Sequence, residues 1–197
     1  MNTLEFRKLP QPSYPVNEAF NTLSTNISFL GRDTKKLMLT SSHASEGKSF
    51  TSLSLARKLA ERGKRVVLVD TDLRRSMIVS TYGVRFPQDS KKYGLSHYLA
   101  GIAEQDEVLY KTNVAGMDFV PVGRELLNPL PLLVSNRFQA LLDRLAEAYD
   151  YVIVDAAPVG VVIDAAEIAK YCDGILLVVS YNQVHRQELI DAKAQLE

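Results

Sequence analysis

The 197-residue sequence contains one cysteine, Cys172, so an internal disulfide framework is excluded and a reducing compartment is expected. It carries no excess charge of either sign, with 23 Lys plus Arg against 23 Asp plus Glu. That balance argues against a dominant nucleic-acid footprint and leaves no polybasic arm for anionic membranes. No apolar run approaches the ~18 residues needed to cross a bilayer, and the polar N-terminus does not read as a signal peptide. A cytoplasmic location is the expectation. Repeats and low-complexity segments are missing too. His43, His97 and His185 lie far apart without metal-ligand spacing.

The pattern that is present is one of alternating strands and helices. Residues 1–15, with Pro10, Pro12 and Pro15, read as an extended lead-in, and residues 16–197 as one domain. Apolar residues at helical spacing predict a helix from Val16 to Leu30, ending at Gly31. Short apolar runs predict strands at Leu37–Thr40, Val66–Val69, Met117–Val122, Tyr151–Val154 and Ile175–Val179. Helices are predicted over Lys48–Arg62, Ser135–Tyr149, Asp164–Tyr171 and Val184–Leu196. Arg85–Tyr93 is polar, and a mobile loop is expected there; Lys91 and Lys92 read as a solvated face. Strands alternating with helices imply an α/β fold, a mostly parallel sheet with helices on both faces in three α/β/α layers.

Three clusters carry chemistry. In Ser42-His43-Ala44-Ser45-Glu46-Gly47-Lys48-Ser49, between a strand and a helix, backbone N–H groups can converge on a phosphate. Lys48 can reach the β and γ phosphates and Ser49 can coordinate Mg²⁺, so this is a P-loop for ATP, with Phe50 next in the helix. Ser42 stands where the pattern has its first glycine. In the second cluster, Asp70-Thr71-Asp72-Leu73-Arg74-Arg75, two carboxylates follow a buried strand at its C-terminal end, where open α/β sheets bind ligands. Such a pair suits Mg²⁺, and one member could accept a hydroxyl proton; an Asp-rich turn bridged to Arg74 and Arg75 is the plainer alternative. The third, Tyr151-Val152-Ile153-Val154-Asp155, is an apolar strand ending in a carboxylate, the Walker B pattern.

The aspartate-x-aspartate-x-arginine segment, added to Walker A and B, resembles the bacterial tyrosine kinases of capsule and exopolysaccharide synthesis. The likeness runs from about Asn17 to the end and includes the helix from Glu18 to Ile27, Asn128-Pro129 and the Ala-Pro-Val-Gly turn at 157–160. It implies a P-loop kinase in which Lys48 polarises the phosphates, Ser49, Asp72 and Asp155 hold Mg²⁺, and Asp70 takes the tyrosine proton. Ala44, Ser45, Glu46, Gly47 and Phe50 would surround the nucleotide, and Arg74 would orient the carboxylates. It also implies a membrane adaptor whose cytoplasmic segment binds the kinase at the inner face of the plasma membrane.

The sequence departs from that family in three places. Ser45 replaces a usual glycine, which costs roughly 1 kcal/mol if the position needs positive φ. The E-x-x-R-x-x-R signature of self-assembly reads Glu18, Asn21, Ser24, without its arginines. The family's tyrosine-rich tail has no counterpart after Tyr181. Two other functions therefore stand beside the kinase. One is an ATP-binding scaffold of the same system. The other is a partition-type ATPase switch, whose signature lysine is His43 here.

Overall fold

The computed structural model describes residues 2–31, 33–88 and 90–197. In chain order the elements are β1 (Thr3–Phe6), α1 (Tyr14–Ser28), β2 (Lys36–Ser41), α2 (Lys48–Glu61), β3 (Val66–Asp70), α3 (Ile78–Thr81), β4 (Val84–Arg85), α4 (Leu95–Leu99) and α5 (Gln105–Val108). There follow β5 (Tyr110–Thr112), β6 (Met117–Val120), α6 (Leu130–Leu133), α7 (Asn136–Ala148), β7 (Tyr151–Asp155), α8 (Asp164–Ala169), β8 (Gly174–Val178) and α9 (Arg186–Leu196). Among the described residues eight strands form one sheet in the order β4-β1-β5-β6-β3-β7-β2-β8. The run β6-β3-β7-β2-β8 is parallel, as is β1 with β5; β4 with β1 and β5 with β6 are antiparallel.

Side chains alternate across a strand, and β3 and β7 carry apolar residues on both faces, so each feeds two cores. Val67, Val69, Val152 and Val154 face one side, where Phe138, Leu141, Leu142 and Leu145 of α7 cover them. Val66, Leu68, Tyr151 and Ile153 face the other, against Leu55, Ala56 and Leu59 of α2. This is the expected three-layer arrangement. Ser135 caps α7, its Oγ accepting from the Phe138 N–H. Cys172 is part-buried and packs at the margin of the first core. No helix among the described residues is long and apolar enough to cross a membrane.

Differences from the sequence reading fall at the sheet margin. The expected extended lead-in holds β1, whose Leu4 and Phe6 are buried and which hydrogen-bonds into the same sheet. Four residues are too few to reveal a strand without the partner β5, more than a hundred positions away. The first helix starts at Tyr14, two residues early, because Pro15 is tolerated in a first turn where its missing N–H has no partner to lose. The third predicted strand stops at Val120 rather than Val122. Arg85 belongs to β4, and Asp89 in the expected loop lies outside the described residues.

Candidate active site

The sheet's C-terminal edge gathers all three motif clusters. Strand β2 ends in the loop that enters α2, while β3 and β7 lie side by side with Asp70 in register with Asp155. The loop closes because Gly47, at the helix N-cap, takes φ 86°. Ser45 also sits in the left-handed region, at φ 67°. The family's glycine is therefore missing at a position whose backbone favours glycine. Ser45→Gly should raise stability by about 0.5 kcal/mol, the relief of strain less the greater chain entropy of glycine. That is a Tm gain of roughly 1–2 °C for a domain this size. A thermal melt with no gain would remove the strain.

Around Lys48 the geometry is dense. The Lys48 ammonium lies 3.2 Å from Asp155 Oδ2 and 4.0 Å from Asp72 Oδ2. Ser49 Oγ donates to Asp155 Oδ2 at 2.7 Å, and Ser52 Oγ to Asp155 Oδ1 at 2.7 Å. Ser52 was not anticipated from the sequence. Its signal is the spacing: it lies three residues beyond Ser49, on the same face of α2. Asp70 is fully buried beside this group; Ser76 Oγ donates to its Oδ2 and the Asp72 N–H to its Oδ1 at 3.3 Å. Burial first, and the charge of Asp155 second, hold the Asp70 carboxyl well above the usual carboxylate range. Burial also raises Asp72, against the opposing pull of Lys48.

Two carboxylates, Asp72 and Asp155, thus face a single ammonium within ion-pair reach, with Asp70 buried beside Asp155, a deficit of positive charge at a cluster of hard oxygen donors. That donor set fits Mg²⁺, which takes one or two carboxylates and completes its shell with water and phosphate oxygens. Beside it opens a cavity of about 520 Å³ lined by Ala44, Ser45, Gly47, Lys48, Ser49 and Phe50, and by Asp72 and Arg74 on the far wall. Tyr82 also lines it, unforeseen from the sequence; burial, then the Asp155 charge, push its hydroxyl up to about 12.

Three predicted roles are placed differently from the expectation. Glu46 does not reach the cavity: its carboxylate accepts from the His43 N–H at 2.7 Å and the Ser180 N–H at 3.1 Å, bracing the loop. The Arg74 guanidinium makes no hydrogen bond to Asp70 or Asp72, although the Arg74 backbone N–H meets the Asp72 carboxylate. Its guanidinium forks onto buried Asp164 at 2.6 and 3.0 Å and donates to the Leu127 carbonyl at 2.8 Å. A planar fork meets a carboxylate with two parallel bonds, and Asp164 alone offers both oxygens. Asp70 stands behind the cavity wall, with the Ser76 hydroxyl on its outer oxygen.

The Ala-Pro-Val-Gly turn braces the loop from the other side. The Val159 N–H donates to the Ser41 carbonyl at 2.8 Å, and a Cβ on Gly160 would come within 2.3 Å of the Ser42 carbonyl oxygen. Backbone cannot yield as a flexible side chain does. Gly160→Ala should destabilise the protein by about 2 kcal/mol and weaken ATP binding several-fold, through a displaced loop. Wild-type values for both Tm and an ATP titration would show that the turn does not set the loop.

Fold and loop together define a P-loop nucleotide-binding protein. The family model described as an AAA domain matches residues 34–188. The tyrosine-protein kinase CpsD of Streptococcus agalactiae serotype III is 39% identical over 180 residues, covering 91% of this chain and 76% of that one. The solved kinase domain of Escherichia coli tyrosine kinase ETK superimposes with a TM-score of 0.82 at 32% identity, over 91% of this chain and 69% of that one. Cobyrinic acid a,c-diamide synthase from Mycobacterium smegmatis, solved with ADP and magnesium, shares the fold at 19% identity, with a TM-score of 0.66 over 82% of this chain and 67% of that one. The chain belongs to the bacterial tyrosine kinases of capsule and exopolysaccharide synthesis.

Proposed function

We propose that this chain transfers the γ-phosphoryl group of ATP to tyrosine, in the control of capsular or exopolysaccharide assembly. The carrying observation is the second carboxylate pair. Asp70 and Asp72 stand beside Lys48, Ser49 and Asp155 at the same sheet edge. Phosphoryl transfer asks a protein for positioning and charge neutralisation more than for covalent chemistry, and it needs a group to take the acceptor's proton.

In this reading the loop N–H groups and Lys48 hold the β and γ phosphates, with Phe50 fixed at the cavity wall by its ring contact with Phe20, centroids 5.9 Å apart. Ser49, Asp72 and Asp155 would hold Mg²⁺, which when bound supplies the charge that bridges the phosphate oxygens. Asp70 takes the tyrosine proton. Its raised proton affinity suits a base that must keep the proton once it has it. The chain works with the cytoplasmic segment of a membrane adaptor, at the inner face of the membrane.

A second reading, an ATP-gated scaffold, is favoured by one observation. Ser24, at an arginine position of the self-assembly signature, is fully buried and its Oγ donates to the Asn21 carbonyl. Helix α1 is built here as a packing helix and lacks the cations that would join copies.

Incubation with Mg-ATP, alone and with a candidate adaptor segment, read by mass spectrometry, separates the two. Phosphotyrosine in either condition is the expected result. ATP binding with no phosphotyrosine in both would leave the scaffold.

A further inference from the structure

Next to the nucleotide cavity lies a second one of about 580 Å³, within the size range of small-ligand sites. Arg75 and Met77 line both, so the two adjoin along that stretch of chain. The second cavity has Ser76 in its wall, and the Ser76 hydroxyl is the group that bonds to Asp70. Asp70 is fully buried and touches neither cavity, so this hydroxyl connects it to open space. Apolar groups make up much of the remaining wall: the half-exposed Met77, Val79, and Phe86, whose ring is held edge-on to Tyr110 at 5.6 Å. Arg75 and Lys92 stand at the rim with one carboxylate, Glu125, and neither cation pairs with an acid among the described residues.

An aromatic-sided cavity beside the phosphate site, with a hydroxyl inside and net positive charge at the rim, has the chemistry of a tyrosine side chain on an acidic peptide. We propose that this cavity seats the acceptor tyrosine, flanked by acidic residues, and that Ser76 passes its proton to Asp70. The inference rests on the kinase reading. In the step, the tyrosine Oη–H bond breaks and its proton goes to Ser76 Oγ, while the Ser76 proton moves to Asp70 Oδ2. The phenolate oxygen bonds to the γ-phosphorus as the bond to the β,γ-bridging oxygen breaks. The products are phosphotyrosine, ADP and a protonated Asp70. Ser76 touches the substrate in this scheme, and Lys92 holds the peptide.

The test uses the whole chain and a labelled peptide in which one tyrosine is flanked by glutamates. Fluorescence anisotropy, with a non-hydrolysable ATP analogue and Mg²⁺ present, should show binding weakened at least fivefold in Lys92→Glu and in Phe86→Ala. Equal binding by both variants and the wild type overturns the pocket. With Mg-ATP, Ser76→Ala should lower kcat for the peptide at least tenfold with the KM for ATP unchanged, and Ser76→Thr should restore most of it. Undiminished kcat in Ser76→Ala overturns the relay. A wild type that binds the peptide through Lys92 but forms no phosphotyrosine overturns the kinase reading and the relay with it, and leaves the peptide site standing.

Discussion

Asp70→Asn should lose phosphotransfer by about a thousandfold, keep ATP binding and make the nucleotide-free protein more stable. The loss follows from removing the group that takes the proton, typically worth 10²–10⁴-fold, in a cluster whose other members stay in place. The gain in stability follows from burial. Asp70 is fully enclosed, with Asp155 in register beside it, and both effects lift its proton affinity in the folded state. The stability its neutral form retains is fully present below the unfolded pKa of about 3.9, and is lost as pH rises through the higher folded value. Asparagine has no charge to lose, and its side-chain oxygen can still accept from Ser76. The variant's advantage in Tm should therefore be small near pH 4 and grow toward pH 8, reaching about 1 kcal/mol or more, roughly 2–4 °C. Thermal melts across that range, paired with a phosphotransfer assay, read both effects. Full activity would reject Asp70 as the base. A Tm advantage that does not change with pH would mean that the burial of its charge is not what the active site sustains. Function held at a cost in stability is common where a site must keep like charges together.

Lys48→Met should abolish measurable ATP binding and also weaken the fold. The ammonium is buried 3.2 Å from Asp155 and 4.0 Å from Asp72, so it serves the protein before any nucleotide arrives. Methionine matches its length and apolar stem but leaves buried Asp155 and part-buried Asp72 without the cation nearest them. Removing one partner of a buried pair costs about 3–5 kcal/mol, because the charge left behind has neither water nor counter-ion. The nucleotide loses the side chain that meets its β and γ phosphates, and affinity should fall at least a hundredfold. Isothermal titration with ATP, and a urea unfolding curve at neutral pH, test the two halves. Undiminished affinity would remove the site assignment. Unchanged stability would mean that Asp155 and Asp72 rely on some other cation. The pair of predictions has opposite signs in Tm although both variants lose phosphotransfer, so a general loss of folding cannot imitate them.

Some of this was legible in the amino-acid order because the physics involved is local. Phosphate cradles need a short loop between a strand and a helix, and Gly47-Lys48-Ser49 carries that requirement within three consecutive residues. The five predicted strands were visible as short apolar runs, of which Val66–Val69, buried on both faces, is the clearest. The carboxylates at the ends of β3 and β7 were visible for the same reason: they interrupt such runs at the edge where ligands bind.

What only the tertiary structure decided are the partners contributed by distant parts of the chain. The choice of Asp164 by Arg74, across 90 positions, depends on α8 being delivered to the cavity rim with its carboxylate buried. The membership of β1 in the sheet depends on β5, and the need for a glycine at 160 depends on how near the turn passes to Ser42. Ser76 is one hydroxyl among many in the sequence and becomes distinctive only where it meets Asp70 in the wall of a cavity. The sequence by itself determined the phosphate loop, the parallel sheet and the residues that hold charge. The tertiary structure decided which of those charges are buried, which face open space and what neutralises each, because burial and distance are properties of packing and not of order along the chain.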